Sequence, residues 1–271
     1  MSIVDDPKYD SASGRRYRYP GKKVGYLGVT SLIGNAWPSE HLENWRIGNI
    51  AKNCVTHSKE VAKKFKHISK KPDKIKHMYA QGVKDLFLDW KEDNTASSRG
   101  TRIHEALEAY FLDEPIPKAT EQDERATMRS AITCLESINF ICEYVEAPIY
   151  NHTLKYAGTA DLIGTFEVKL GKKRKRLRAV IDLKTGKRIS RSYLPQLAAY
   201  AMAEEVMFDV GHKTKVRSMP KIHRAFVLHA LPHKAVLYRV DIELGWAIFQ
   251  ACHTVSTQAT ATKGIELYVH N

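Results

Sequence analysis

Two aspartates and a lysine at the ends of apolar segments have the chemistry to bind a divalent cation. Asp182 and Lys184 follow the apolar run 179–181, and Asp161 closes the phrase Gly-Thr-Ala-Asp twenty-one residues earlier. Carboxylate oxygens suit hard cations such as Mg²⁺ or Mn²⁺. Such a cation lowers the pKa of a bound water and polarises a phosphoryl group. The three residues predict a phosphodiester-hydrolysing site, and the alternative is an exposed salt bridge.

The surroundings of Asp182 select it from the four acid-x-Lys triplets of the chain. Asp6 lies in a polar tail, Asp89 at a predicted helix end, and Glu167 too close to Asp161 for a separate strand. Side chains alternate along a strand, so Asp182 and Lys184 are expected on one face, with Ile181 and Leu183 turned to the core. If the strand of Asp161 pairs antiparallel with that of Asp182, both acids reach the same face.

Polar residues on two predicted helices are further candidates. His104 is a plausible metal ligand, although a lone helix histidine is more often structural. The pair His104-Glu105 does not complete a zinc-protease motif, because position 108 is Glu rather than His. Gln196 and Tyr200 are four residues apart and therefore share one helix face, either beside the metal site or in an ordinary amphipathic helix.

Charge favours a polyanionic partner. The chain has 43 Lys and Arg against 30 Asp and Glu, a net charge of +13. Residues 169–191 hold eleven basic residues and one acid. This asymmetry favours nucleic acid as the partner, and the alternative is an ordinary basic protein.

The predicted elements indicate an α/β fold. We predict strands near 25–32, 143–151, 157–166, 177–184, 223–230 and 235–240, and helices near 39–65, 74–91, 98–112, 120–141, 192–208 and up to about 260. The basic turn 171–176 joins two of the strands as a hairpin, and residues 1–24 are expected to be partly disordered. Together they predict one central mixed sheet flanked by helices, with an N-terminal helical extension.

The four cysteines and the hydropathy favour a reduced, cytoplasmic, membrane-free protein. No Cys-x-x-Cys pair exists, and no apolar run approaches the length of a membrane span. The first residues show no signal-peptide pattern.

The order of the motifs is more specific than any one of them. Gly-x-x-x-His104-x-x-x-Glu, then Gly-Thr-Ala-Asp161, then Ile-Asp182-Leu-Lys184-Thr-Gly, then Gln196-Leu-x-x-Tyr200 resembles the RecB-type branch of the PD-(D/E)XK nucleases. The resemblance covers about residues 98–205. It implies a restriction-endonuclease-like core over residues 98–271, preceded by a tail and helical extension over 1–97.

The resemblance also implies roles for individual residues. Asp161, Asp182 and His104 would bind Mg²⁺ or Mn²⁺, Leu183 would add its backbone carbonyl, and Lys184 would be catalytic. The expected site-ordering or DNA-binding residues are Glu146, Thr185, Lys187, Arg188, Arg191, Gln196 and Tyr200. Family members with an iron–sulfur cluster place three cysteines near the C-terminus, where this chain has only Cys252. No cluster is therefore expected.

Three functions remain open from the sequence. The first is a metal-dependent DNA exonuclease acting on single- or double-stranded ends in phage or mobile-element recombination, with a recombination or strand-annealing protein as a possible partner. The second is a structure-specific endonuclease on the same core, and the third is a non-catalytic nucleic-acid-binding protein. The lysine-rich segment 39–91 is a candidate arch that guides a DNA strand over the site.

Overall fold

The computed structural model describes residues 8–11, 14–20, 25–37, 47–65 (except 49 and 53), 95–117, 121–210 and 213–258. The chain divides into two compact units. One comprises Met1–Trp37 with Ser98–Asn271, and the other comprises Pro38–Ser97. Met1–Trp37 therefore groups with the predicted core rather than with the tail and extension predicted over 1–97. The predicted helix 74–91 and most of the candidate arch 39–91 lie outside the described residues.

The larger unit holds almost all of the described elements. Its strands are β1 (Lys8–Ser11), β2 (Gly14–Tyr17), β3 (Tyr26–Gly28), β4 (Ile141–Asn151), β5 (Tyr156–Leu170), β6 (Lys173–Lys184), β7 (Glu205–Val210), β8 (Lys213–Ser218), β9 (Arg224–Leu231) and β10 (Lys234–Val240). Its helices are α1 (Val29–Ala36), α4 (Gln122–Ser137), α5 (Tyr193–Ala201) and α6 (Ile242–Gln258). Helix α2 (Ser58–Phe65) belongs to the smaller unit, and α3 (Thr95–Phe111) begins at the division between them.

The ten strands form one sheet in which β5 is central. Along one side β5 pairs antiparallel with β4, which leads to β7 and β8. Along its other side β5 pairs first with β3, through Tyr156 and Ala157, and then with β6, from Leu162 onward. Strand β6 pairs in parallel with β9, and β9 pairs antiparallel with β10. The predicted α/β fold with a mixed sheet flanked by helices is confirmed, and most of its pairings are antiparallel.

Helices cover the sheet on both faces because alternate strand residues are apolar. On one face Ile163 and Val180 pack against Leu197 of α5 and Phe249 of α6, and we call this cluster the α5 core. On the other face Leu162, Ile181 and Leu183 pack against residues of α3 and α4, including Ile103, Leu107 and Leu135, and we call this the α3 core. No helix of the described residues is long and apolar enough to cross a membrane.

The prediction for residues 192–208 is wrong in its second half. Helix α5 ends at Ala201, and the missed hairpin β7–β8 follows. The segment Ala198–Glu205 favours helix by composition, but tertiary hydrogen bonds end it: Asn151 Nδ2 donates to the carbonyl of Met202, and the backbone N–H of Glu204 donates to the carbonyl of Tyr150. Pairing with β4 outweighs the local propensity.

The N-terminal region also differs from the prediction. The strand expected over 25–32 has only three residues, and helix α1 starts at Val29. Described residues in the tail that was expected to be partly disordered form β1 and β2. Helix α4 stops at Ser137 rather than near 141, because β4 begins at Ile141. The basic turn is shorter than the predicted range 171–176. Gly171 adopts φ +64°, and β6 already begins at Lys173.

Candidate metal centre

The register of β5 and β6 sets Asp161 and Asp182 opposite each other. The antiparallel ladder between the strands ends at the pair Leu162–Ile181, and the same register continued by one residue would pair the two aspartates. The predicted antiparallel hairpin thus exists, and it stops where the acids begin. The backbone N–H of Leu183 instead donates to Asp161 Oδ2, at 2.7 Å.

An irregularity in β4 and β5 turns Asp161 toward Leu183 and Asp182 at the end of β6. Ile163 and Ala160 both pack in the α5 core although they are three residues apart, so regular alternation is interrupted between them. Strand β4 shows the same break between Tyr144 and Ala147. Glu146 lies inside that break with φ +45°, a conformation that costs a non-glycine residue about 1–3 kcal/mol. The β4–β5 pairing keeps its register across this break, and its register shift lies earlier in β4, between Cys142 and Tyr144.

His104 reaches the site from helix α3. Its Nε2 lies 3.1 Å from the carbonyl oxygen of Leu183, and its Nδ1 lies 3.3 Å from Glu146 Oε1 and 3.6 Å from Asp161 Oδ2. The helix can approach closely because a Cβ at Gly100, one turn before His104, would lie 3.3 Å from Thr185 Oγ1. Ligand atoms of His104, Glu146 and Asp161 all lie within 4.8 Å of one another.

Asp182 is the most buried acid of the site, with 1% of its surface exposed. Gln196 Nε2 donates to Asp182 Oδ1 and also to the hydroxyl of Tyr200, at 3.0 Å each. The predicted shared helix face of Gln196 and Tyr200 therefore points to Asp182. Tyr200 fits because Gly158 lacks a side chain, since a Cβ there would lie 2.6 Å from Tyr200 Cε1.

Lys184 lies beside Asp182, on the face that alternation predicts. Its Nζ is 2.5 Å from Asp182 Oδ2 and 5.1 Å from the centre of the Tyr193 ring. Lys184 thus engages the buried Oδ2 of Asp182, and Gln196 engages Oδ1. Both oxygens of the Asp182 carboxylate therefore have a polar neighbour in the metal-free protein.

Electrostatics in the cluster favour a bound cation. Burial, and then the charge of Asp182, raises the pKa of Asp161 to about 7. Burial also raises the pKa of Asp182, against the opposing effect of Lys184. Burial lowers the pKa of His104, but the hydrogen bond to Glu146 and the charge of Asp161 outweigh it, so the net shift is upward. A divalent cation would relieve the cost of three acids in a small, poorly hydrated space.

The donors present fit Mg²⁺ or Mn²⁺. Leu183 O, Asp161, Asp182 and His104 Nε2 would supply three oxygen ligands and one nitrogen ligand. The 3.1 Å between His104 Nε2 and Leu183 O is near the edge of an octahedron with metal bonds of ~2.1 Å, about 3.0 Å. If Nε2 were to bind the metal, Nδ1–H would donate to Glu146, the usual way a carboxylate orients a ligating histidine.

The structure does not bring all of the predicted residues into this cluster. Thr185 is next to it, whereas Lys187, Arg188 and Arg191 are exposed on the segment that follows Lys184. We call residues 185–192 the basic loop. We call the exposed turn 171–176 the hairpin tip. It begins ten residues after Asp161 along the extended strand β5, which corresponds to about 30 Å.

Two residues near the site escaped the sequence analysis. Tyr193 places its ring beside Lys184, and His229 on β9 contacts the basic loop. The signal available for His229 was a polar residue inside the otherwise apolar run Ala225–Leu231. For Tyr193 there was no signal beyond its position at the start of α5.

Comparison of the sequence with protein-family models and with curated proteins found no match.

Proposed function

We propose that the protein is a Mg²⁺- or Mn²⁺-dependent deoxyribonuclease of the PD-(D/E)XK type, acting as an exonuclease. The observation that carries the proposal is that His104 contacts the Leu183 carbonyl through Nε2 and Asp161 through Nδ1, with the Asp182–Lys184 ion pair on the same strand as Leu183. These groups come from α3, β5 and β6, so the fold assembles them from distant parts of the chain.

Each residue has a task that follows from its contacts. The cation, when bound, would activate a water and polarise the scissile phosphate. Lys184, held between Asp182 and the Tyr193 ring, would orient the attacking water and offset negative charge on the phosphate. Gln196 fixes the carboxylate of Asp182, and Tyr200 in turn holds Gln196. Glu146 holds the ring of His104.

DNA is the proposed substrate because the net charge is +13 and the basic loop lies directly after Lys184. We further propose a cytoplasmic role in recombination of phage or mobile-element DNA, with a recombination or strand-annealing protein as partner. The resemblance in the motif order supports both the exonuclease activity and this role.

The direct test uses fluorescent single- and double-stranded DNA, labelled at either end, with Mg²⁺, Mn²⁺ or EDTA. We expect progressive shortening with either metal and none with EDTA. Internal bands would instead indicate an endonuclease, and retardation without cleavage would indicate a binding protein.

Two variants assign any cleavage to this site. Asp182→Asn keeps an oxygen acceptor for Gln196 but removes the charge, and we expect cleavage to be lost. Asp209→Asn is the matched control, because Asp209 is exposed on β7 and its side chain accepts a hydrogen bond from Thr214. Cleavage at the wild-type rate by purified Asp182→Asn protein would refute the assignment.

A further inference from the structure

The basic loop combines exposed cations with a short connection. It links Lys184 to the first residue of α5, and its Lys187, Arg188 and Arg191 are exposed. None of these three side chains forms an ion pair within the described part of the chain. Cations next to a phosphodiester-cleaving site and without acidic partners are suited to contact the phosphates of a nucleic acid.

The backbone of the loop is fixed although its cations are exposed. His229 Nε2 lies 2.7 Å from the carbonyl oxygen of Gly186. Thr185 packs against Gly100 of α3. At the other end the hydroxyls of Ser190 and Ser192 lie 2.7 Å apart. The carbonyl can only accept, so His229 Nε2 carries the proton of this hydrogen bond.

His229 is built into the sheet beside the catalytic strand. Strand β9 pairs with β6 in a register that sets His229 next to Lys184. Its side chain is 9% exposed, and its ring centre is 6.2 Å from that of Tyr238. A buried imidazole is costly without a hydrogen-bond partner, and Gly186 provides that partner. The contact therefore ties the loop to the rigid sheet.

We propose that His229 is a positioning residue for nucleic-acid binding. Its hydrogen bond to Gly186 holds the basic loop in the conformation that presents the three cations to the substrate phosphates beside the metal centre. A loop that is ordered before binding loses less conformational entropy on binding, which raises affinity. This inference rests on the proposed nuclease function and adds the group that organises its substrate contact.

The test compares two replacements of His229. His229→Leu removes the N–H donor, whereas His229→Gln retains one. For a fluorescent single strand in Ca²⁺ or EDTA, we expect the Kd of His229→Leu to rise about three- to tenfold, the equivalent of one hydrogen bond. We expect His229→Gln to recover most of that loss. For His229→Leu the KM should rise together with the Kd. The Mn²⁺ concentration that gives half of the maximal increase in Tm should be the same as for the wild type.

His253→Leu separates this role from a merely structural one. His253 makes the same kind of contact on α6, with Nε2 2.7 Å from the carbonyl oxygen of Leu154. Its loss should lower the Tm without changing the Kd for DNA. The inference is overturned if His229→Leu lowers the Tm but binds DNA like the wild type, or if His229→Gln binds as weakly as His229→Leu. A wild-type protein that binds no DNA would instead overturn the proposed function itself.

Discussion

Replacing Asp161 by Asn should stabilise the metal-free protein and abolish its stabilisation by metal. The pKa of Asp161 is raised from 3.8 to about 7 by burial and by Asp182. Between these two values the unfolded chain has released a proton that the folded protein keeps, so stability falls as pH rises through this window. Above about pH 7 the ionised Asp161 lowers the free energy of unfolding by its full amount, which is at most about 4 kcal/mol.

The amide retains the main contact of the carboxylate. Its oxygen can accept from the N–H of Leu183, as Asp161 Oδ2 does. Because the amide must itself be desolvated, we expect a net gain of about 1–3 kcal/mol in EDTA at about pH 8. For a chain of this length that gain raises the Tm by roughly 2–10 °C. Near pH 5 the gain should be smaller, since folded Asp161 is then protonated.

Thermal unfolding with EDTA and with Mn²⁺ measures both effects. Excess Mn²⁺ should stabilise the wild type, by about 2.7 kcal/mol at a hundred times Kd, but should barely affect Asp161→Asn. The order of the two Tm values should therefore reverse when metal is added. Asp209→Asn, an exposed acid, should follow the wild type throughout. The reasoning is refuted if Asp161→Asn is the less stable protein in EDTA at about pH 8, or if Mn²⁺ stabilises both proteins equally.

Three more outcomes follow from the same contacts. Lys184→Met should abolish cleavage while leaving DNA affinity within about twofold, measured by fluorescence anisotropy, because one cation among many contributes little to binding. Gly158→Ala should cost about 1–3 kcal/mol in urea unfolding, since the added Cβ meets the buried ring of Tyr200, and unchanged stability would contradict that packing. Changing the three basic-loop cations to serine should weaken DNA binding and reduce its salt dependence. Changing three hairpin-tip lysines to serine removes the same charge but should have a smaller effect. Equal effects would contradict the inference that only the basic loop lies beside the bound DNA. The two sets are Lys187, Arg188 and Arg191 in the loop, and Lys172, Lys173 and Lys175 in the tip.

The sequence was sufficient for the elements around the site because their signals are local. Alternation of apolar residues placed β6 and the shared face of Asp182 and Lys184, and helical spacing placed Gln196 with Tyr200. The antiparallel pairing of the strands of Asp161 and Asp182 followed from one tight basic turn between them. These features depend on residues close in the chain.

The remaining features depend on contacts between distant residues. The end of α5 is set by Asn151 and Tyr150, about fifty residues earlier, and the sequence of α5 itself favours a longer helix. The left-handed conformation of Glu146 has no signature, because glycine would be the expected residue there. The role proposed for His229 requires the parallel pairing of β6 and β9, which sequence spacing does not reveal.

The most direct test of the metal centre is a crystal structure with Mn²⁺, in which anomalous scattering locates the ion. We predict one peak within bonding distance, roughly 2.1–2.3 Å, of His104 Nε2, the Leu183 carbonyl oxygen and a carboxylate oxygen of Asp161. A Mn²⁺ ion bound only elsewhere, with the His104–Leu183 hydrogen bond intact, would contradict the account.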